Sequence, residues 1–283
     1  MYASTVRGLL VRGMLAGLIA GLFAFAVAYA VGEPPVDDAI AVEEAQSAPA
    51  AHAGHGGHAE SGGHAGHHGD AAEPAGEEEE ELVSRSTQST AGLATGVLVY
   101  GVALGGIASL AFCFALGRAG RFSARATAAL TAAGAFTTVY LVPFLKYPAT
   151  PPAVGNPDTI GKRTTLFFLM ILLSVLLGVA AIILGRRLAP RLGNWNATLA
   201  AGGGFIAAVA LAFVFLPGNG DAVKDSFPAD VLWEFRLASL AIQAVLWTVF
   251  AIVFGVLAHR ALTPRATGAE AEVTARQEAP ALG

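Results

Sequence analysis

Thr164 to Gly185 reads TTLFFLMILLSVLLGVAAIILG, 22 residues without a single charge. A helix needs about 20 predominantly apolar residues to cross the hydrocarbon of a bilayer. Lys162 and Arg163 bracket the stretch on one side, Arg186 and Arg187 on the other. It therefore reads as a membrane-spanning helix. Five more charge-free runs have spanning length: 13–31, 91–117, 126–145, 192–220 and 237–258. Thr127, Thr131, Thr137 and Thr138 dilute the run at 126–145. The run at 192–220 is longer than a span needs, and Gly218-Asn219-Gly220 marks its exit. Together the runs predict an all-α polytopic membrane protein with about six transmembrane helices.

Composition points the same way. Apolar residues make up 54% of the 283, charged residues only 13%, and mean hydropathy is +0.59. A soluble domain carries roughly 25% charged residues, so much of this chain never meets water. The lone cysteine, Cys113, excludes an intrachain disulfide. It lies in an apolar run, where a thiol reads as a small hydrophobe. No GxSxG, HExxH or CxxC occurs, so no enzyme is expected. Gly161-Lys162-Arg163-Thr164 imitates the end of a phosphate loop. Asn156 stands where the first glycine belongs and Arg163 where the hydroxyl belongs. Neither nucleotide nor nucleic acid is an expected partner; the lipid bilayer is.

Lys and Arg favour cytoplasmic connections. With the N-terminus inside, the inner segments hold Arg7, Arg12, Arg118, Arg121, Arg125, Arg186, Arg187, Arg191, Arg260, Arg265 and Arg276. The outer ones hold Arg85, Lys146, Lys162, Arg163 and Lys224. Eleven against five places both termini in the cytoplasm of a bacterial inner membrane. Arg7, Arg12, the first apolar run and Ala28-Tyr29-Ala30 also fit a cleaved signal peptide, although the run exceeds the 7–15 residues usual for one.

The organisation expected is a first transmembrane helix over 1–31, an acidic outer loop over 32–90, a five-helix bundle over 91–260 and a disordered tail over 261–283. The successive prolines of Gly32-Glu33-Pro34-Pro35 are expected to deny the first helix continuation. Asp37, Asp38, Glu43 and Glu44, spaced by alanines, suit a short helix of their own. From about Ser47 to Gly76 the loop is low-complexity Ala, Gly and His, with no apolar residue larger than alanine or proline. It cannot bury a core and is expected to be disordered. The loop as a whole carries thirteen acids and one arginine, Arg85.

Within it stand His52, His55, His58, His64, His67 and His68, six of the seven histidines. Neutral imidazole is the commonest ligand for borderline divalent metals. Glycine-containing spacers let several rings converge on one ion, and the carboxylates concentrate cations. These six are the candidate metal ligands, with Glu60 and Asp70 as added oxygen donors. The pattern specifies a divalent transition metal without selecting one, and no permanently bound cofactor is expected.

A second candidate set lies at the outer membrane edge: Glu33, Asp37, Lys146, Asp158 and Arg236. Ionisable groups there serve function or anchor the interface. Arg236 is expected to pair with Glu33 or Asp158, and Gln243 to make a helix–helix hydrogen bond. The connection 146–163 holds four prolines and reads as an ordered extended loop. Small residues four apart allow close helix approach in lipid. Gly13, Gly17 and Gly21 predict a tight pairing of the first two spans with Gly92, Gly96, Gly101 and Gly105.

Several strings resemble the CbtA family of predicted cobalt transporter subunits: RGMLAGLIAGL (12–22), GEPPVDDAI (32–40), LVSRSTQ (82–88), VPFLKYPATPPAVGNPDTIGKRT (142–164) and LWEFRLASLAIQAVLW (232–247). The resemblance runs nearly end to end. It implies Co2+ as substrate, with Ni2+ or Zn2+ as alternatives, and a small one-helix, His-bearing CbtB-like partner. Family descriptions often count five spans, one fewer than the runs here.

Overall fold

A computed structural model describes residues 3–47, 84–118, 120, 122–151, 154, 157–218, 223 and 227–263. Among them every regular element is helical. Five helices are long and apolar enough to cross a membrane: α1 Ala3–Gln46, α2 Arg85–Ala115, α3 Ala124–Lys146, α4 Ile160–Phe215 and α5 Ala229–Leu262.

α4 accounts for the difference between five helices and six runs. It is continuous over 56 residues except at Gly193, whose φ of 75° and ψ of 161° are not helical. That left-handed φ suits glycine, which has no Cβ to clash. The chain folds back there. Met170 and Ala212 share one buried cluster, although a straight helix would hold them about 63 Å apart. Near the turn, a methyl on Gly185 would sit 3.3 Å from Ala201 Cβ. α4 is thus a hairpin of two limbs, 160–192 and 194–215, and each limb carries one of the predicted runs.

The prolines behave differently from the expectation. α1 continues through Pro34 and Pro35 to the end of the helix at Ser47. A wide π turn over Ala28–Gly32 makes this feasible. There the Glu33 amide bonds back five residues, to Ala28 O. The next two amides in that register would be those of residues 34 and 35, which proline lacks. A proline inside an α-helix costs about 3 kcal/mol, partly from ring collision with the carbonyl four back. The wider turn removes that collision. The acidic residues after the prolines do form a helix, but as an extension of α1.

α3 repeats the device, with one further consequence. Its π turn spans Phe136–Leu141, and the Val142 amide bonds Thr137 O. Residue 143, next in register, is proline and cannot serve Thr138 O. Ser174 of α4 donates its hydroxyl to that carbonyl instead. Ser174 is completely buried, and it is the only hydroxyl between Thr165 and Gly185. This bond docks the α4 hairpin on α3.

The remaining helices form the main bundle. α1 and α2 run antiparallel in backbone contact. A Cβ on Gly105 would lie 2.8 Å from Gly17 Cα, and one on Gly13 2.6 Å from Gly105 O. Gly101 packs likewise against Gly17 and Gly21. The predicted glycine seam holds for these residues. Gly92 and Gly96 do not join it: Gly96 has nothing within 4 Å, and Gly92 meets only Thr87 O of its own helix. α5 fills the groove beside the seam. Phe254 meets Phe112 edge-on at 5.1 Å and stacks on Phe250 at 5.2 Å. Leu9, Ala128 and Ala132 complete that core.

Packing sorts the charges by end. Gly13 faces Ser109, Gly255 faces Arg125, and the Gly193 turn lies beyond the Gly178–Thr138 contact. One end of the bundle therefore gathers Arg12, Arg118, Arg125, Arg186 and Arg260. The other gathers Glu33, Asp37, Arg85, Lys146, Asp158 and Arg236. At this second end Ala39 on the α1 extension packs with Val154 and Phe227.

The seam generates a paired prediction. Gly105→Ala presses a methyl into backbone that no rotamer change can move, and is expected to cost about 1–3 kcal/mol. Gly96→Ala meets open space and should leave stability unchanged or slightly raised. Unfolding in detergent, followed by circular dichroism, measures both; equal stability for the two variants would refute the seam.

Candidate functional site

The six candidate metal ligands, His52, His55, His58, His64, His67 and His68, lie outside the described residues, as do Glu60 and Asp70. Among the described residues no three His, Cys, Asp or Glu side chains come together in a way that would hold a metal. The described structure defines instead the two ends that carry the histidine segment and the polar groups around them.

Those ends are clamped together. Arg85, at the start of α2, sends Nη2 to Glu33 Oε2 at 2.5 Å and to Asp37 Oδ1 at 2.7 Å. Its Nε also donates to Asp37 Oδ1, at 3.0 Å. Glu33 and Asp37 are one helical turn apart on α1, so one guanidinium spans both. This geometry exists only because α1 stays helical through its prolines. The partner of Glu33 is thus Arg85, where the sequence offered Arg236 as a partner for either Glu33 or Asp158. In the sequence Arg85 stands only as a loop charge. Its being the one base among thirteen acids in its segment is the available signal. Glu33 is the best buried member, at 14% side-chain exposure, against 34% for Arg85 and 60% for Asp37. The Asp37 arm is worth under about 1 kcal/mol.

Lys146 and Arg236 serve backbone carbonyls. Lys146 Nζ, at the end of α3, donates to Phe213 O at 2.7 Å. Phe213 is in the last turn of α4, where carbonyls lack intrahelical donors. A cation there also meets the negative end of the helix dipole. Tyr147 adds a second tie, its hydroxyl donating to Pro217 O at 2.8 Å. Burial raises the Tyr147 phenol above its ordinary value, which keeps it a donor. Arg236 Nε donates to Ala149 O at 3.2 Å, pinning the extended loop after α3 to α5. Asp158 is exposed in a short 3₁₀ turn, Pro157–Thr159. Between that loop and the start of α4 lies a cleft of about 340 Å³, lined among others by Tyr140, Phe144, Arg163, Thr164, Phe167 and Phe168.

The expected helix–helix bond of Gln243 is present in stretched form: its Nε2 lies 3.5 Å from Tyr100 Oη, linking α5 to α2. Tyr100, Tyr140 and Trp247, which share this neighbourhood, are not among the sequence candidates. Each is an aromatic in an apolar run, and no local pattern marks its polar atom as unpartnered.

Five helices long and apolar enough to cross a membrane, an arginine-rich end and a polar clamp at the other end define a polytopic membrane protein. The chain belongs to the CbtA family, described as probable cobalt transporter subunit; the family match covers residues 6–259. No curated protein and no solved structure matches it.

Lys146→Met is expected to free Phe213 O and loosen the second limb of α4. Hydrogen exchange over 205–216 should rise by about tenfold, equivalent to roughly 1–1.5 kcal/mol, while α1 and α2 are unaffected. Uniform protection in the variant would refute the capping role.

Proposed function

We propose that this chain is the membrane subunit of an uptake transporter for Co2+, and that the histidine segment captures the ion outside the cell. Family membership supports cobalt as the substrate. The observation that carries the capture role is the clamp of Arg85 on Glu33 and Asp37. It fixes both ends of the histidine segment at the acidic end of the bundle, opposite the arginine-rich end. By the preference of Lys and Arg for the cytoplasm, the acidic end faces outward and both termini lie inside. The setting is a bacterial inner membrane. A histidine tract outside gathers ions for import; efflux would gather them from the cytosol. The remaining subunit is a small one-helix, His-bearing protein of the CbtB kind. Ni2+ and Zn2+ are the competing substrates, because imidazole ligands alone do not discriminate among these metals.

Deletion of 52–68 is expected to lower cobalt accumulation several-fold in cells at limiting cobalt, with little change when cobalt is abundant. Uptake indifferent to the deletion at limiting cobalt would remove the capture role. Capture needs neutral rings, so metal binding by the intact chain should fade as pH falls through about 6.5. Isothermal titration at pH 7.5 and 5.5 measures this; equal affinity at both would exclude imidazole ligands.

A second reading, an envelope metal buffer or sensor without transport, is favoured by one observation. No group of three ionisable or thiol ligands is found among the described residues. Liposomes with a cobalt-sensitive dye inside separate the two readings: entry through the chain, alone or with its partner, supports transport, and no entry supports the buffer.

A further inference from the structure

In the outer part of the bundle, three helices bring together polar groups that are left unsatisfied among the described residues. Gln243 on α5 reaches Tyr100 on α2 only at 3.5 Å, and its Oε1 is buried with no hydrogen-bond partner among the described residues. Tyr140 Oη on α3 is likewise buried and unpartnered among them, and the π turn that carries it lies against α5. One turn further along α5, Trp247 Nε1 is a third buried atom in the same condition.

The level is similar on each helix. Tyr140 lies six residues, about 9 Å, from Lys146, and Gln243 seven residues, about 10 Å, from Arg236, so both sit toward the acidic end. Gln243 is 12 residues, or about 18 Å, above Gly255, and Gly255 packs on Arg125. Tyr140 is 15 residues, or about 22 Å, above Arg125. The π turn over Phe136–Leu141 contains Tyr140. One extra residue in a turn rotates the rest of the helix by roughly 100°, so this turn sets the direction of the phenol. Such turns recur at functional sites.

Each buried polar atom left unpaired costs about 1–3 kcal/mol. Three within about one helical turn, on two facing helices, are explained if water occupies the space between them. A buried water needs two to four polar partners. Two phenol hydroxyls, one amide and one indole N–H supply both donors and acceptors.

We propose that Tyr100, Tyr140, Gln243 and Trp247 line a hydrated seam between α2, α3 and α5, and that a hydrated divalent cation crosses the outer part of the membrane there. The crossing rests on the transport reading above; the hydration does not. The chemistry suits passage. Water bound to a divalent cation is a strong donor, and the neutral phenol and amide oxygens accept from it. They carry no charge to trap the ion, as conduction requires.

The test uses the full chain with Cys113→Ala, so that one introduced thiol reports. Gln243→Cys and Tyr140→Cys are compared with Ile252→Cys, a 62% exposed position on the bundle surface of α5. A charged, membrane-impermeant thiol reagent is expected to label the two seam cysteines at least tenfold faster than Cys at 252, and Co2+ should slow that labelling. Equal rates at the three positions would overturn the seam. Gln243→Leu and Tyr140→Phe then test the crossing in liposomes with a cobalt-sensitive dye. Both should keep or raise the thermal midpoint, since each removes an unpaired polar atom, and both should lower cobalt entry at least tenfold. Wild-type entry that these variants leave unchanged overturns the crossing alone. No entry by the wild type overturns transport, and labelling still decides whether the seam is wet.

Discussion

A backbone amide or carbonyl that enters hydrocarbon has no water to fall back on, and the architecture of this chain is arranged around that constraint. Its clearest instance is Thr138 O. Pro143 cannot serve it, so the hydroxyl of Ser174 does, and that one bond brings the α4 hairpin against α3. The opposite end of the hairpin obeys the same rule, with Lys146 on Phe213 O and Tyr147 on Pro217 O. Tertiary contacts of α4 thus combine repairs to backbone bonding with one apolar cluster, in which Val142 and Tyr147 meet Leu166, Met170 and Ala212. They compensate for a helix pair whose surface is otherwise turned outward, as with Trp195, Val214 and Phe215, each at least 75% exposed.

The main bundle solves a different problem, because lipid offers no hydrophobic driving force for helices to associate. Close contact must supply the energy, and the glycines of α1 and α2 let the two backbones touch. With that pair in register, the ends of α1 and α2 are fixed relative to one another over their whole length. Arg85 then meets Glu33 and Asp37 above the membrane because Gly105 meets Gly17 within it. The Asp37 arm of the clamp is exposed and weak. Backed by the seam, the clamp needs no strength of its own to hold the histidine segment's two ends side by side.

These relations were unequally legible in the sequence. Charge-free apolar runs were legible for all five spanning helices, two of the runs falling on the two limbs of α4, because length and absence of charge are local properties. The glycine spacing was legible in half: it named Gly13, Gly17, Gly21, Gly101 and Gly105 correctly, yet Gly96 shares the spacing and faces open space. Spacing places residues on one face without saying whether another helix covers it. Pro34 and Pro35 misled because a helix can absorb prolines by widening the preceding turn, and nothing in Ala28–Gly32 advertises that it will. The missed partner of Glu33 has the same origin, since a helix ending at residue 32 could not have offered Glu33 and Asp37 to one guanidinium. The histidine segment was legible as chemistry only; its six rings lie outside the described residues.

Capture and conduction make opposite demands on ligands, and the chain's composition separates them. Six imidazoles beside many carboxylates suit an ion that must be gathered from dilute solution. The same groups within the membrane would hold it, because desolvation strengthens every charged contact there. The polar groups of the proposed seam are of the other kind: two phenols, an amide and an indole, all uncharged at neutral pH. In the proposed arrangement the ion meets strong ligands where water can compete for it and weak ones where water cannot. A carboxylate in place of Gln243 would reverse this order, raising occupancy of the seam while slowing release. The lack of any acid in the spanning part of α5, between Arg236 and His259, is what a path for a divalent ion requires if the ion is to leave it.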